Sequence, residues 1–195
     1  MTLSPIDTPP PARWTALDEA LRTHAAADAK EAADVELIRR FLRAFPEDAH
    51  LRARLQGHLT GSGFVLDAAR EHVLLLHHRR LDRWLQPGGH GEGETDPRLI
   101  ALREVEEETG LSTAELQPFP DARLLDVDVH SIPARPGEPE HLHLDLRYGF
   151  LARAGAQPRL SEESKALRWV PLHAPLPDGD ASMKRALRKL AGLAR

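Results

Sequence analysis

Gln86-Pro-Gly-Gly-His-Gly-Glu-Gly-Glu-Thr-Asp-Pro-Arg-Leu-Ile-Ala-Leu-Arg-Glu-Val-Glu-Glu-Glu-Thr-Gly-Leu111 is the stretch on which the reading of the whole chain turns. Its first half cannot be helical, because Gly88, Gly89, Gly91 and Gly93 supply the backbone freedom of a tight loop. Asp96 followed by Pro97 reads as a helix N-cap with proline at the first helical position. Gly110 is the residue type that accepts the left-handed conformation just past a helix end. The spacing therefore predicts a helix from about Pro97 to Thr109.

Within that helix Glu104, Glu107 and Glu108 stand at i, i+3 and i+4 and crowd one face, while Leu102 and Val105 point to another and Glu106 points away. Like charges at this spacing destabilise a helix. They also occupy the last turns, where the negative end of the helix dipole favours Lys or Arg. A solvated acidic face is the ordinary reading of such a run. Hard divalent cations such as Mg²⁺ offer another, since they bind oxygen through a few carboxylates plus substrate phosphates and relieve the repulsion. The glycine loop just upstream allows close backbone approach to the same ligand.

These residues resemble the signature of the Nudix hydrolases, whose box reads Gly, five residues, Glu, seven residues, then Arg-Glu-apolar-any-Glu-Glu-any-Gly-apolar. Arg103-Glu104-Val105-Glu106-Glu107-Glu108-Thr109-Gly110-Leu111 fills the second half without a mismatch. The first half departs from the pattern: Thr95 occupies the Glu position and Glu94 comes one residue early. The resemblance implies an α/β/α sandwich with a mixed β-sheet. It also implies Mg²⁺ or Mn²⁺ held by Gly88, Glu104, Glu107 and Glu108, and hydrolysis of a phosphoanhydride in a nucleoside diphosphate linked to another moiety. Arg103 pairs with Glu107 at i,i+4 and holds it in place. Glu107 and Glu108 belong to the catalytic set, and Glu94, Glu162 and Glu163 are the candidates for the base that takes the proton of the attacking water.

Composition agrees with a soluble globular protein. A chain of 195 residues with 41% hydrophobic content can bury an ordinary core. It has no cysteine, which excludes disulfides, a thiol nucleophile and cysteine-bound zinc or iron–sulfur clusters. The start, Met1-Thr-Leu-Ser-Pro-Ile, lacks the basic and apolar regions of a signal peptide and no long apolar run follows, so the expected location is the cytoplasm with no membrane partner. A formal net charge of −4 gives no general attraction to nucleic acid, so a small-molecule substrate is expected.

Outward from the box, helices are predicted at about Thr15 to Ala27 and Glu31 to Phe45, with a short helical piece around Ala49 to Leu55. Residues 1–56 read as an N-terminal helical extension to a domain over 57–195. A substrate lid, a homodimer contact and plain packing on the core are its three readings, packing being favoured. Strands are predicted at Leu59 to Leu66 and His72 to His78, joined as a hairpin and followed by a basic connection containing Arg79 and Arg80. Leu125, Val127 and Val129 alternate with Asp126, Asp128 and His130, predicting a strand with one buried face. In the next strand Leu142, Leu144, Leu146, Tyr148 and Phe150 face one way. His141, His143, Asp145 and Arg147 face the other and could line a substrate cleft, although two histidines at i,i+2 are weak evidence for zinc. Arg79, His90, His143 and Asp145 are the candidate substrate contacts. Ser161 to Ser164 leads into a strand at Leu167 to Pro171, and a helix from about Ala181 to Leu193 closes the chain.

Two other functions compete with hydrolysis. A nucleotide-recognition module that does not cleave would explain the displaced Glu94, and action on an RNA 5′ end would need a basic, aromatic-bearing stripe that is missing. Some family subclasses are marked by a proline or a tyrosine a short way past the box; Val127 stands near that point, so neither subclass is indicated.

Overall fold

The computed structural model describes residues 8–162, 164–176 and 179–195. Strand β1 (Gly57–Leu66) runs through the middle of one mixed sheet. Its far end pairs antiparallel with β2 (His72–His78), its middle with the short β4 (Gly88–His90), and its whole length pairs parallel with β7 (His141–Ala152). Beyond β2 lie β3 (Arg83–Leu85) and β8 (Ser164–Pro171), and beyond β7 lie β5 (Leu116–Pro118) and β6 (Leu124–Ile132). Two apolar cores form on the sheet. Helices α1 (Thr15–Arg22), α2 (Ala29–Ala44) and α3 (Pro97–Thr109) contribute to one, and α4 (Ala181–Leu193) to the other. This is the α/β arrangement of helices on a mixed sheet that the sequence predicts.

Local chemistry sets the element ends. Asp96 accepts a hydrogen bond from the Arg98 N–H, and Gly110 adopts φ 67°, so α3 begins and ends where its caps require. Asp28 and Asp180 cap α2 and α4 in the same way, accepting from the N–H groups of Glu31 and Met183. Gly61 lets α3 lie directly on β1: a Cβ there would stand 2.5 Å from the Pro97 carbonyl oxygen and 2.8 Å from the Ala101 nitrogen. Two helical expectations fail. Residues 49–55 form turns rather than a helix, and α1 ends at Arg22, because alanine propensity is weak beside the need to reverse the chain into α2.

The N-terminal helices pack on the sheet, with Trp14, Leu21, Ile38, Phe41 and Leu42 in the same core as Leu59, Val105 and Val127. Strand β6, expected to have one buried face, is buried on both, with Asp126 0% and Asp128 4% exposed. The free edge of β6 is completed by side chains instead of a further strand. The N–H groups of Val127 and Val129 donate to Glu31 and Asp34 of α2 at 3.1 Å each. The carbonyls of Leu125, Val127 and Val129 accept from Lys189, Arg185 and Lys30 at 3.1, 2.7 and 2.9 Å. These charged groups also pair with one another: Arg185 with Asp126 at 2.8 Å, Lys30 with Asp128, and Lys189 with Glu31.

A second buried pair holds the first helix. Asp18 accepts from Arg39 at 2.9 Å and Arg43 at 2.8 Å. Burial pushes its carboxyl up, but the two guanidinium groups outweigh burial and hold it at about 2.

Two stability measurements follow from these pairs. Arg185→Leu leaves the Asp126 carboxylate buried without its closest partner, and lowers the unfolding free energy by about 3–5 kcal/mol in chemical denaturation. The Asp18 carboxylate, depressed in the folded state, contributes stability above its ordinary value near 3.8 and loses it as pH falls from there towards 2. Asp18→Asn therefore lowers the thermal midpoint at neutral pH and flattens its fall over that acid range.

Candidate active site

Helix α3 and strand β4 meet along the glutamate face. The Gly88 N–H donates to Glu108 Oε2 at 2.8 Å, and the Glu108 side chain is buried. Gly89 faces Glu104 so closely that a Cβ on it would stand 2.6 Å from the carboxylate carbon, a cradle that only glycine leaves open. Arg103 binds this edge together: Nη2 donates to Glu104 Oε1 at 2.9 Å and to the His90 carbonyl, and Nη1 to Glu92 at 3.0 Å and Glu107 at 3.5 Å. The predicted Arg103 and Glu107 contact is present, and Glu107 is the most open of the three carboxylates with a side chain 56% exposed. Oxygen donors from carboxylates and backbone beside a glycine cradle fit a hard divalent cation such as Mg²⁺ or Mn²⁺.

The other predicted residues are dispersed. The Glu94 carboxylate accepts from the N–H groups of Thr95 at 2.6 Å and Asp96 at 2.9 Å, and these bonds hold its pKa below the usual range. It turns the loop that enters α3. Arg79 spends its guanidinium on the carbonyls of Glu162 and Ser164, at 3.0 and 3.2 Å, and so ties the end of β2 to the start of β8. Glu162 is exposed, and Glu163 lies outside the described residues. Asp145 does not line an open cleft: it is 3% exposed and accepts from Thr60 at 3.1 Å, Ser62 at 2.8 Å and Arg147 at 2.8 Å. Arg147 is buried beside it and also reaches Asp126 and Asp128. The Asp145 and Arg147 end of the polar row on β7 is an internal ion-pair seam, lying beside the part of β6 that α2 and α4 cover.

His90 and His143 are brought together, with His58 as a third member that sequence reasoning missed. The three ring centroids lie 5.0 Å from one another. Among the described residues, they are the one group of three or more His, Cys, Asp or Glu side chains whose ligating atoms all lie within 4.8 Å. Burial, joined by the neighbouring rings, lowers the pKa of each, that of His58 to about 4. No spacing signal could have found this group, since β1, β4 and β7 are joined only by sheet pairing.

A concavity of about 590 Å³ lies elsewhere, between α1, residues 120–125 and the end of α4, and among the described residues no carboxylate lines it. No helix among the described residues is long and apolar enough to cross a membrane.

Comparison with known proteins adds a family match and two kinds of relative. The model of the NUDIX domain matches residues 58–190. The "Probable DHNTP pyrophosphohydrolase" of Lactococcus lactis subsp. cremoris is 29% identical over 98 residues, which span 50% of this chain and 57% of the relative. A C. elegans Ap4A hydrolase in a binary complex superposes with a TM-score of 0.57 at 20% identity, covering 69% of this chain and 95% of its own. The E. coli dihydroneopterin triphosphate pyrophosphohydrolase superposes with a TM-score of 0.52 at 18% identity, covering 67% and 92%. At these identities the two structures speak for the fold.

The cradle at Gly89 can be tested directly. Gly89→Ala displaces Glu104 from its place beside Arg103, and calorimetric Mg²⁺ affinity falls about 10–100-fold while the fold, followed by circular dichroism, persists.

Proposed function

The chain belongs to the Nudix hydrolase family, and on that premise we propose that it hydrolyses a phosphoanhydride bond in a nucleoside diphosphate linked to another moiety. The observation that carries this reading is the clasp of α3 on β4, in which Gly88, Gly89, Arg103, Glu104 and Glu108 are mutually engaged and Glu107 is left open. In this reading Glu104, Glu107 and Glu108, with the main chain at Gly88, hold Mg²⁺ or Mn²⁺. The ion, when bound, neutralises phosphate oxygens and lowers the pKa of a water.

The chain's own residues supply the positioning. Arg103 neutralises part of the charge on Glu104 and Glu107 and keeps both against β4, so that the carboxylates need not rearrange when substrate arrives. Glu108 is anchored by the Gly88 amide, which keeps one carboxylate oxygen oriented and buried. Among the candidate bases, Glu94 is held charged by two amide N–H groups and is a poor proton acceptor. Glu162 is exposed on a loop that Arg79 fastens to β2, and it is the better candidate.

The relative named for DHNTP and the structure named for Ap4A both concern substrates in which phosphates are joined to a larger group, which supports a small-molecule substrate of that type. The cytoplasm and the absence of a membrane partner belong to the same reading. Glu94, spent on its own loop, favours a second reading in which the domain recognises a nucleotide without cleaving it.

A panel of nucleoside triphosphates, nucleotide sugars, ADP-ribose, dinucleoside polyphosphates and dihydroneopterin triphosphate, assayed for phosphate or nucleotide release with Mg²⁺ and then Mn²⁺, separates the two. Metal-dependent cleavage of one class is expected. Glu107→Gln, nearly isosteric and exposed, lowers it about a hundredfold or more while leaving the thermal midpoint unchanged. Saturable binding of one compound with cleavage of none would establish the recognition module instead.

A further inference from the structure

The histidine triangle lies on the other side of β4 from the glutamates. Successive residues of a strand point to opposite faces. Gly89 faces the Glu104 carboxylate, whereas Gly88, one residue before it, faces Ser62 at 2.3 Å from an ideal Cβ position. His90 shares the face of Gly88, and there it meets His58 of β1 and His143 of β7. His58 and His143 are direct partners across the parallel pairing, and Thr60, two residues along β1, is the partner of His90. Three strands thus deliver three imidazoles to one point, each centroid 5.0 Å from the other two.

Among the described residues, three ring nitrogens at that point make no hydrogen bond. His58 is 1% exposed, and neither of its ring nitrogens makes a hydrogen bond. His141, 6% exposed with its ring 5.1 Å from that of His58, makes no hydrogen bond through Nε2, which lies 3.9 Å from Glu138 Oε1, while its Nδ1 is fixed by the Pro139 carbonyl at 2.9 Å. A buried imidazole nitrogen without a hydrogen bond is unfavourable unless something accepts its lone pair. Three neutral imidazoles are a donor set for first-row transition metals and not for Mg²⁺, which takes oxygen. The ligating atoms lie within 4.8 Å of one another. A tetrahedral ion with metal–nitrogen bonds of about 2.0–2.1 Å needs them roughly 3.4 Å apart, a contraction within the reach of small ring rotations.

We propose that His58, His90 and His143 bind one transition-metal ion of the Zn²⁺ class, at a site separate from the carboxylates of α3. His141 stands beside the group, its ring 5.1 Å from that of His58 and 5.3 Å from that of His143.

The test uses the full chain, stripped with a chelator and dialysed against Zn²⁺ in excess Mg²⁺, with bound zinc counted by mass spectrometry. One Zn²⁺ per chain is expected, and it is retained in Glu107→Gln. His143→Asn and His90→Asn, made separately, each weaken retention at least about tenfold. Substituting Co²⁺ gives visible absorption bands of nitrogen coordination that the same two variants lose. Circular dichroism in chelator establishes that each variant is folded. If His143→Asn does not fold, His90→Asn decides alone, because β4 is short and the His90 carbonyl that receives Arg103 is main chain. Zinc retained undiminished in a folded histidine variant, zinc lost in Glu107→Gln, or no zinc bound by the wild type would each overturn the proposal.

Discussion

The free edge of β6 is the constraint on which the rest of the molecule depends. An edge strand in the interior of a protein must find partners for its outward N–H and C=O groups, and here no strand supplies them. Carboxylates from α2 take the N–H groups of Val127 and Val129, and cations from α2 and α4 take the carbonyls of Leu125, Val127 and Val129. Charges this deeply buried are tolerable only as a closed set, because each ion loses hydration that a single partner does not replace. Glu31, Asp34, Asp126, Asp128, Asp145, Arg147, Arg185, Lys30 and Lys189 form such a set. The consequence is mechanical: α2, α4 and the polar face of β7 are fixed relative to one another, and with them the position of His143.

A different compromise governs α3. Its last turns carry three glutamates on one face and no basic residue, which opposes both the helix dipole and side-chain repulsion. The close seat on β1 at Gly61 and the Gly110 cap compensate by packing and backbone satisfaction. Arg103, one residue outside the acidic run, is shared among Glu92, Glu104, Glu107 and the His90 carbonyl. Local rules are violated where the helix presents its chemistry and obeyed where it is anchored, the pattern expected of a functional site.

This division also explains what could be read from the chain. The bounds of α3 and α4 and the hairpin of β1 and β2 were legible because caps, turn residues and hydrophobic period are local signals. Asp126, Asp128 and Asp145 looked like a wetted strand face, and alternation alone supports that reading. The burial of Asp126 and Asp128 depends on Arg185 and Lys30, and that of Asp145 on Thr60 and Ser62, all far away in sequence. Glu94 likewise could be read as a displaced site residue, whereas its carboxylate is consumed by the two amides that follow it. His58 carried no signal at all, since its partners come from strands whose adjacency is a property of the sheet order.

Strand β4 shows how little structure is needed to separate two chemistries. It has three residues, yet its alternation sends Gly89 towards carboxylate oxygens and His90 towards imidazole nitrogens. The Arg103 guanidinium belongs to the glutamate side, donating to Glu104 and to the main-chain carbonyl of His90. Carboxylate oxygens and imidazole nitrogens lie on opposite faces of the same short segment, so the pleat of one strand suffices to keep the two donor sets apart.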